Sequence, residues 1–118
     1  MAVQRLHVAT RFSEVAISGN LVHLAGQLAS DTSLDIKGQT QQTLDFIDQF
    51  LADAGTDKSH IMSVTIFLKD IENDYAGMNE VWDAWCSDIQ ALPRTCVEAK
   101  MYKPEVLVEM TVVAVKPE

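Results

Sequence analysis

The sequence predicts an α+β fold, a single mixed β-sheet with two helices packed on one face. Three observations predict it. The apolar period switches along the chain in the order strands, helix, strand, helix, strands. The last strand pattern is apolar on both faces. The length of 118 residues, with 47% hydrophobic content, fits one domain with a true core, so residues 1–118 read as a single domain.

The elements follow in order. A strand near Gln4 to Val8 precedes a hairpin whose turn signal is Ser18-Gly19-Asn20. Val15 and Ile17 flank the turn on one side, and Leu21, Val22 and Leu24 on the other. Gly26 interrupts the second arm, which suggests a bulge or a close approach by a ligand or another backbone. The first helix lies in "DIKGQTQQTLDFIDQFLADAG". Leu44, Ile47, Leu51 and Ala54 recur at helical spacing with Phe50 alongside, and Gly55 ends the helix. "SHIMSVTIFLKD" reads as a long strand, with Met62, Val64, Ile66 and Leu68 on one side and Ile61, Ser63, Thr65 and Phe67 on the other. A second helix is expected from Asp74 to Cys86, capped by Asp74, with Met78, Val81, Trp82 and Trp85 as its buried stripe. Pro93 then opens the strand "LPRTCVEA".

The final strand, "EVLVEMTVVAV", places Val106, Val108, Met110, Val112 and Ala114 on one face. Leu107, Glu109, Thr111, Val113 and Val115 form the other, which is also mostly apolar. Such strands are covered on both sides. Two helices cover only one face of a sheet this size, so the simplest cover for the second face is another copy of the chain.

Composition excludes some function classes. The net charge is −8, and the nine Lys and Arg are scattered, which opposes nucleic-acid binding. Cys86 and Cys96 form no CxxC pair, and His7, His23 and His60 show no metal-ligand spacing, so neither metal nor cofactor is expected. No apolar run approaches the roughly 18 residues of a membrane span, and the N-terminus lacks a signal-like apolar region. The expectation is a cytoplasmic protein with free thiols and no membrane partner.

In "LPRTCVEA", alternation places Arg94, Cys96 and Glu98 on one face of a strand. That face meets either water or a ligand. "GNLVHLAGQLA", "IMSVTIFLKDIENDYAGMNEVWDAW", "LPRTCVEA" and "VLVEMTVVAVKP" together resemble the RidA/YjgF/UK family of enamine/imine deaminases, in that order and spacing. The resemblance covers the chain from about Phe12 onward, and the "WDAW" helix is similar to the short YoaB-type branch. It implies a chorismate-mutase-like fold, a homotrimer with ligand clefts between subunits, and hydrolysis of 2-aminoacrylate-type enamines and imines to 2-keto acids and ammonia.

The resemblance also implies roles. Arg94 matches the family's binding arginine, and a guanidinium suits a substrate carboxylate; the alternative is a salt bridge. Glu109 matches the glutamate that orients the attacking water, and an apolar strand would raise its pKa toward the useful range; alternatively it pairs with Arg94 or a lysine. Cys96 would supply a small wall and a backbone N–H rather than a nucleophile, or be an inert half-buried thiol. Gly26 matches a glycine that approaches the ligand, or is an ordinary bulge residue. Phe12 stands where the family has a cleft-edge tyrosine, "AGQLA" replaces "SGQIP", and the segment between Leu28 and the first helix is short. Glu98 is a bystander that could pair with a lysine. A second function class is a non-catalytic module that binds small 2-keto acids in the same cleft. A third, ribonuclease activity, is opposed by the acidic composition.

Overall fold

The computed structural model describes residues 2–118. The chain runs β1 (Gln4–Val8), β2 (Ser13–Ser18), β3 (Leu21–Gln27), α1 (Ile36–Asp53), β4 (Ile61–Leu68), α2 (Ile71–Trp85), β5 (Arg94–Glu98) and β6 (Val108–Val115), with a short 3₁₀ turn at Lys58–His60. One six-stranded sheet has the order β1-β2-β3-β6-β4-β5. Its ladders are antiparallel except β4 with β5, the pair joined by the crossover helix α2. The predicted mixed sheet with two helices is therefore the observed one.

The core lies between the helices and one face of the sheet. Leu44, Ile47 and Leu51 of α1 and Met78, Trp82 and Trp85 of α2 pack with Val22, Leu24, Val64, Ile66, Leu68, Met110 and Val112. Trp85 Nε1 donates to Asp48 Oδ2 at 3.0 Å, so the one polar atom of that indole joins the two helices. The opposite face carries Thr65, Phe67, Glu109, Thr111 and Val113 at intermediate burial, and no helix or strand among the described residues forms a layer above it.

Two sequence expectations need correction. Asp70, not Asp74, caps α2: its carboxylate accepts from the Asn73 N–H at 3.2 Å, while the Asp74 N–H already bonds the Asp70 carbonyl at 3.0 Å in helical fashion. Asp74 instead sits in the first turn. Strict alternation also fails at the start of β4. Ile61 is 6% exposed and Met62 56% exposed, because the register against β6 shifts between Ile61 and Ser63. Gly55 takes φ +85° after the last turn of α1, the left-handed stop that a glycine supplies there.

One buried amide holds two loops that matter later. Gln39 on α1 is fully buried, and its Nε2 donates to the carbonyls of Thr32, Leu34 and Glu105, while its Oε1 accepts from the Leu107 N–H at 2.9 Å. It thereby ties the segment after β3 to the segment before β6. A Gln39→Leu variant keeps the volume and strands all four groups. The expected loss is about 3 kcal/mol of stability, read as a fall in melting temperature on the order of 10 °C.

Candidate functional site

The site begins with the bulge predicted at Gly26. The β3–β6 register shifts between Leu24 and Gln27, so the strand kinks there. Gly26 is also the point of a close approach: a Cβ built on it would fall 2.0 Å from Glu109 Oε2. The approaching group is thus a side chain of β6. Because Val108, Met110, Val112 and Ala114 point into the core, Glu109 points to the opposite face, where its carboxylate lies over the Gly26 backbone.

A cavity of about 590 Å³ opens at this place. Its walls include Phe12, Gly26 and Glu109, three of the five residues expected from the sequence. Phe12 stands at the mouth, 57% exposed. Glu14, Gln27, Phe46 and Tyr102 also line it, and sequence reasoning passed over all four. Glu14 occupies an outward position of β2, where a wet face reads the same as a cavity wall. Tyr102 comes from the loop between β5 and β6 and is 70% exposed, so it brings to the cavity the phenol that Phe12 lacks. The two segments bearing Ser30 and Tyr102 are the ones that Gln39 braces near Thr32 and Glu105.

Burial raises the Glu109 carboxyl above its ordinary value, and among the described residues no neighbouring charge or hydrogen bond offsets it. This has a sign for stability. Between its unfolded and folded pKa values the native state holds the extra proton, so stability falls as pH rises through that window. Above that window the ionised Glu109 is a stability cost retained at a cavity wall, and a neutral isostere relieves that cost.

Arg94 and Cys96 are elsewhere. Arg94, Cys96 and Glu98 do share a face of β5, and it is the helix face: their ladder partners are Val64, Ile66 and Leu68 of the core. The Arg94 guanidinium donates to Asn79 Oδ1 at 2.7 Å and to the Tyr75 hydroxyl at 3.2 Å, and stacks 5.2 Å from the Trp82 ring centroid. Among the described residues no carboxylate lies within ion-pair reach of it. Cys96 is half-buried, and burial pushes its thiol up while Arg94 pulls the other way. Such a thiol is neutral at pH 7, which suits a wall and not a nucleophile. Glu98 accepts from the Ile71 N–H at 3.1 Å at the start of α2, so it serves the helix rather than a lysine.

Within one chain, then, Glu109, Gly26 and Phe12 come together, and Arg94 and Cys96 stand on the other side of the sheet. No group of three or more His, Cys, Asp or Glu with metal-binding geometry occurs among the described residues. No helix among them is long and apolar enough to cross a membrane.

Comparison with known proteins shows the family and the fold. A family model described as Endoribonuclease L-PSP matches residues 2–116. A RutC family protein of Haemophilus ducreyi is 42% identical over 112 residues, covering 95% of each chain. The RutC family protein YoaB of Escherichia coli K12 is 38% identical over 114 residues, covering 97% of this chain and 98% of that protein. Among solved structures, a YjgF family member from Neisseria meningitidis superposes with a TM-score of 0.95 at 36% identity, covering 100% of this chain and 98% of the other. On a match that spans nearly the whole chain and a shared fold, the chain belongs to the Endoribonuclease L-PSP family, whose members here carry the names RutC and YjgF.

Proposed function

We propose that the protein hydrolyses small 2-enamino and 2-imino acids of the 2-aminoacrylate type to 2-keto acids and ammonia, at clefts completed between copies of the chain in a homotrimer. The single observation that carries this reading is the pairing of two unmet needs. Glu109 is a raised-pKa carboxylate facing a cavity on one side of the sheet, and Arg94, at the β5 edge on the other, is a cation with no carboxylate partner among the described residues. A second copy of the chain brings the β5 edge of one subunit to the cavity of its neighbour. The open sheet face supports such packing, with Leu21, Met62 and Val97 exposed on it.

The chemistry then divides as follows. Arg94 binds the substrate carboxylate through its planar fork. Glu109 accepts a proton from a water as that water's oxygen bonds to the C2 carbon of the imine and the C=N π electrons move to nitrogen. Protonated Glu109 then gives that proton to the nitrogen of the resulting carbinolamine, and ammonia leaves as Glu109 takes the hydroxyl proton and the C=O bond forms; release of that proton to the ammonia restores the carboxylate. One water enters, one ammonia and one 2-keto acid leave, and no electron is gained or lost.

Ammonia release from enzymatically generated 2-aminoacrylate tests this directly. The working form of Glu109 is the carboxylate, so the rate should fall as pH drops through its pKa. Because burial raises that pKa, the acid limb should stand above the ordinary carboxylate value of 4.5. A rate that stays flat down to that value contradicts the role of Glu109. Absence of ammonia release at any pH contradicts the reading as a whole.

One observation favours a second reading, a non-catalytic module that binds small 2-keto acids: Phe12 at the mouth of the cavity carries no hydroxyl. Titration calorimetry with pyruvate or 2-oxobutanoate beside the ammonia assay separates them, since binding without turnover supports the module. Ribonuclease activity, which the family description names, is opposed by the net charge of −8 and by the two carboxylates in the cavity wall, because both repel a phosphate backbone.

A further inference from the structure

Glu14 borders the same cavity as Glu109, and no part of the chemistry above uses it. It lies on β2 between the core residue Val15 and Ser13, so it faces away from the core, as Glu109 does. Its Oε1 accepts from Gln27 Nε2 at 3.1 Å. Gln27 is 3% exposed, and its Nε2 also donates to the Ala25 carbonyl at 3.0 Å. Both protons of this amide are therefore committed, and its orientation follows: the Nε2 side must face Glu14. A buried amide thus holds one oxygen of a half-buried carboxylate that borders the cavity. The bulge in β3 is the local feature that brings Gln27 to this position.

The lining that one chain supplies has one sign. It holds Glu14 and Glu109, the rings of Phe12, Phe46 and Tyr102, and no lysine, arginine or histidine. Aromatic faces are negative at their centres, so they add to the attraction for a cation instead of opposing it. With Arg94 of a neighbouring copy engaged by the substrate carboxylate, two carboxylates on one cavity wall favour a further positive group between them. The substrate class itself supplies one. An imine becomes electrophilic at carbon when its nitrogen is protonated, and the protonated nitrogen carries N–H donors that a carboxylate accepts.

From this we infer that Glu14 is a positioning and specificity residue: it holds the protonated nitrogen of the substrate, so that Glu109 is free to take the proton from water. The inference deepens the proposed deaminase reading and rests on it. The division of labour follows from what each carboxylate already touches. Glu14 is held in one place by Gln27, as a docking group must be. Among the described residues Glu109 has no side-chain hydrogen-bond partner, and burial raises its pKa as a base needs.

Glu14→Gln tests it, because glutamine keeps the acceptor oxygen for Gln27 and the shape of the wall while it removes the charge. The probes are L-alanine and pyruvate, two carboxylates of equal length that differ by an ammonium group against a carbonyl. In the wild-type oligomer, titration calorimetry should show alanine bound more tightly than pyruvate. In Glu14→Gln, alanine affinity should fall by about tenfold to a hundredfold, the worth of a charged hydrogen bond, while pyruvate affinity stays within about twofold. In the ammonia assay, KM should rise by a similar factor with kcat changing less, because the lost contact is made in the ground state as well. Loss of both ligands to the same extent, no loss of either, or no preference for alanine in the wild type each overturns the role of Glu14. Absence of ammonia release by the wild type overturns the deaminase reading instead, and the two failures are read from separate measurements.

Discussion

Mixing an Arg94→Ala variant with a Glu109→Gln variant is expected to restore ammonia release that neither supports alone. Each single change removes one half of the proposed site. Loss of a general base or of the carboxylate anchor costs on the order of a hundredfold or more in kcat/KM. Arg94 and Glu109 face opposite sides of the same sheet, so they cannot serve one substrate within a chain. In a site built from two subunits, the Arg94→Ala chain still offers an intact Glu109 and the Glu109→Gln chain an intact Arg94. Random assembly of equal amounts into a closed ring gives both intact residues to about a quarter of the sites. Activity near a quarter of wild type is the expected reading, once native mass spectrometry shows that mixed oligomers have formed. A mixed population that stays inactive would sink the intersubunit site. Neither variant should fail through unfolding. Glu109→Gln relieves a buried charge, and Arg94 touches α2 through neutral partners that lie beside a partly exposed edge strand.

Much of this fold is legible in the sequence, for a physical reason. The core helices and strands are specified by periodicity, and burial follows period: Leu44, Ile47 and Leu51 are fully buried, as are Ile66 and Leu68. In the two-sided final strand, Val113 and Val115 lie on the face away from the helices at intermediate burial, as alternation places them. What periodicity does not specify is the choice between equivalent residues. Ile61 and Met62 are both apolar, so the register shift in β4 that buries one and exposes the other leaves no mark in composition. Asp70 and Asp74 are both able caps, and only the backbone conformation selects between them. The same limit governs the site. Alternation groups Arg94, Cys96 and Glu98 on one face but cannot say that this face looks toward α2. That follows from the parallel pairing with β4, and from a helix whose Asn79 and Tyr75 lie 15 and 19 residues away in sequence. Glu14 and Tyr102 were invisible for a related reason, since an outward glutamate and a loop tyrosine become cavity walls only when β3 bulges between them and Glu109.

Gly26→Ala should abolish most activity and leave the fold in place. The backbone of Gly26 does not need glycine, because only Gly19 and Gly55 among the glycines take positive φ. What needs glycine is space. An alanine Cβ would stand 2.0 Å from Glu109 Oε2 and 3.0 Å from its Cδ, inside any tolerable contact. The atom that must yield is the far end of a flexible side chain facing a cavity, so the protein can accommodate the methyl without moving the sheet. It does so by displacing the carboxylate, by more than about 1 Å if ordinary contact distance is to be restored. A displacement of that size in a catalytic group costs on the order of a hundredfold in rate. Alanine also reduces the freedom of the unfolded chain, by roughly 0.4–1 kcal/mol in favour of the folded state where the conformation permits it. The melting temperature should therefore stay within a few degrees of wild type, about the size of that term. A double variant, Gly26→Ala with Glu109→Asp, sharpens the test: the shorter acid clears the new methyl and should recover part of the lost rate. Wild-type turnover in Gly26→Ala would mean that the resting place of Glu109 over the Gly26 backbone is not its working position. A collapse in melting temperature would mean that the sheet, rather than the carboxylate, gave way. Because the new contact joins one added Cβ to the movable end of one side chain, rate and stability should separate here more cleanly than at any residue whose side chain is shared with the core.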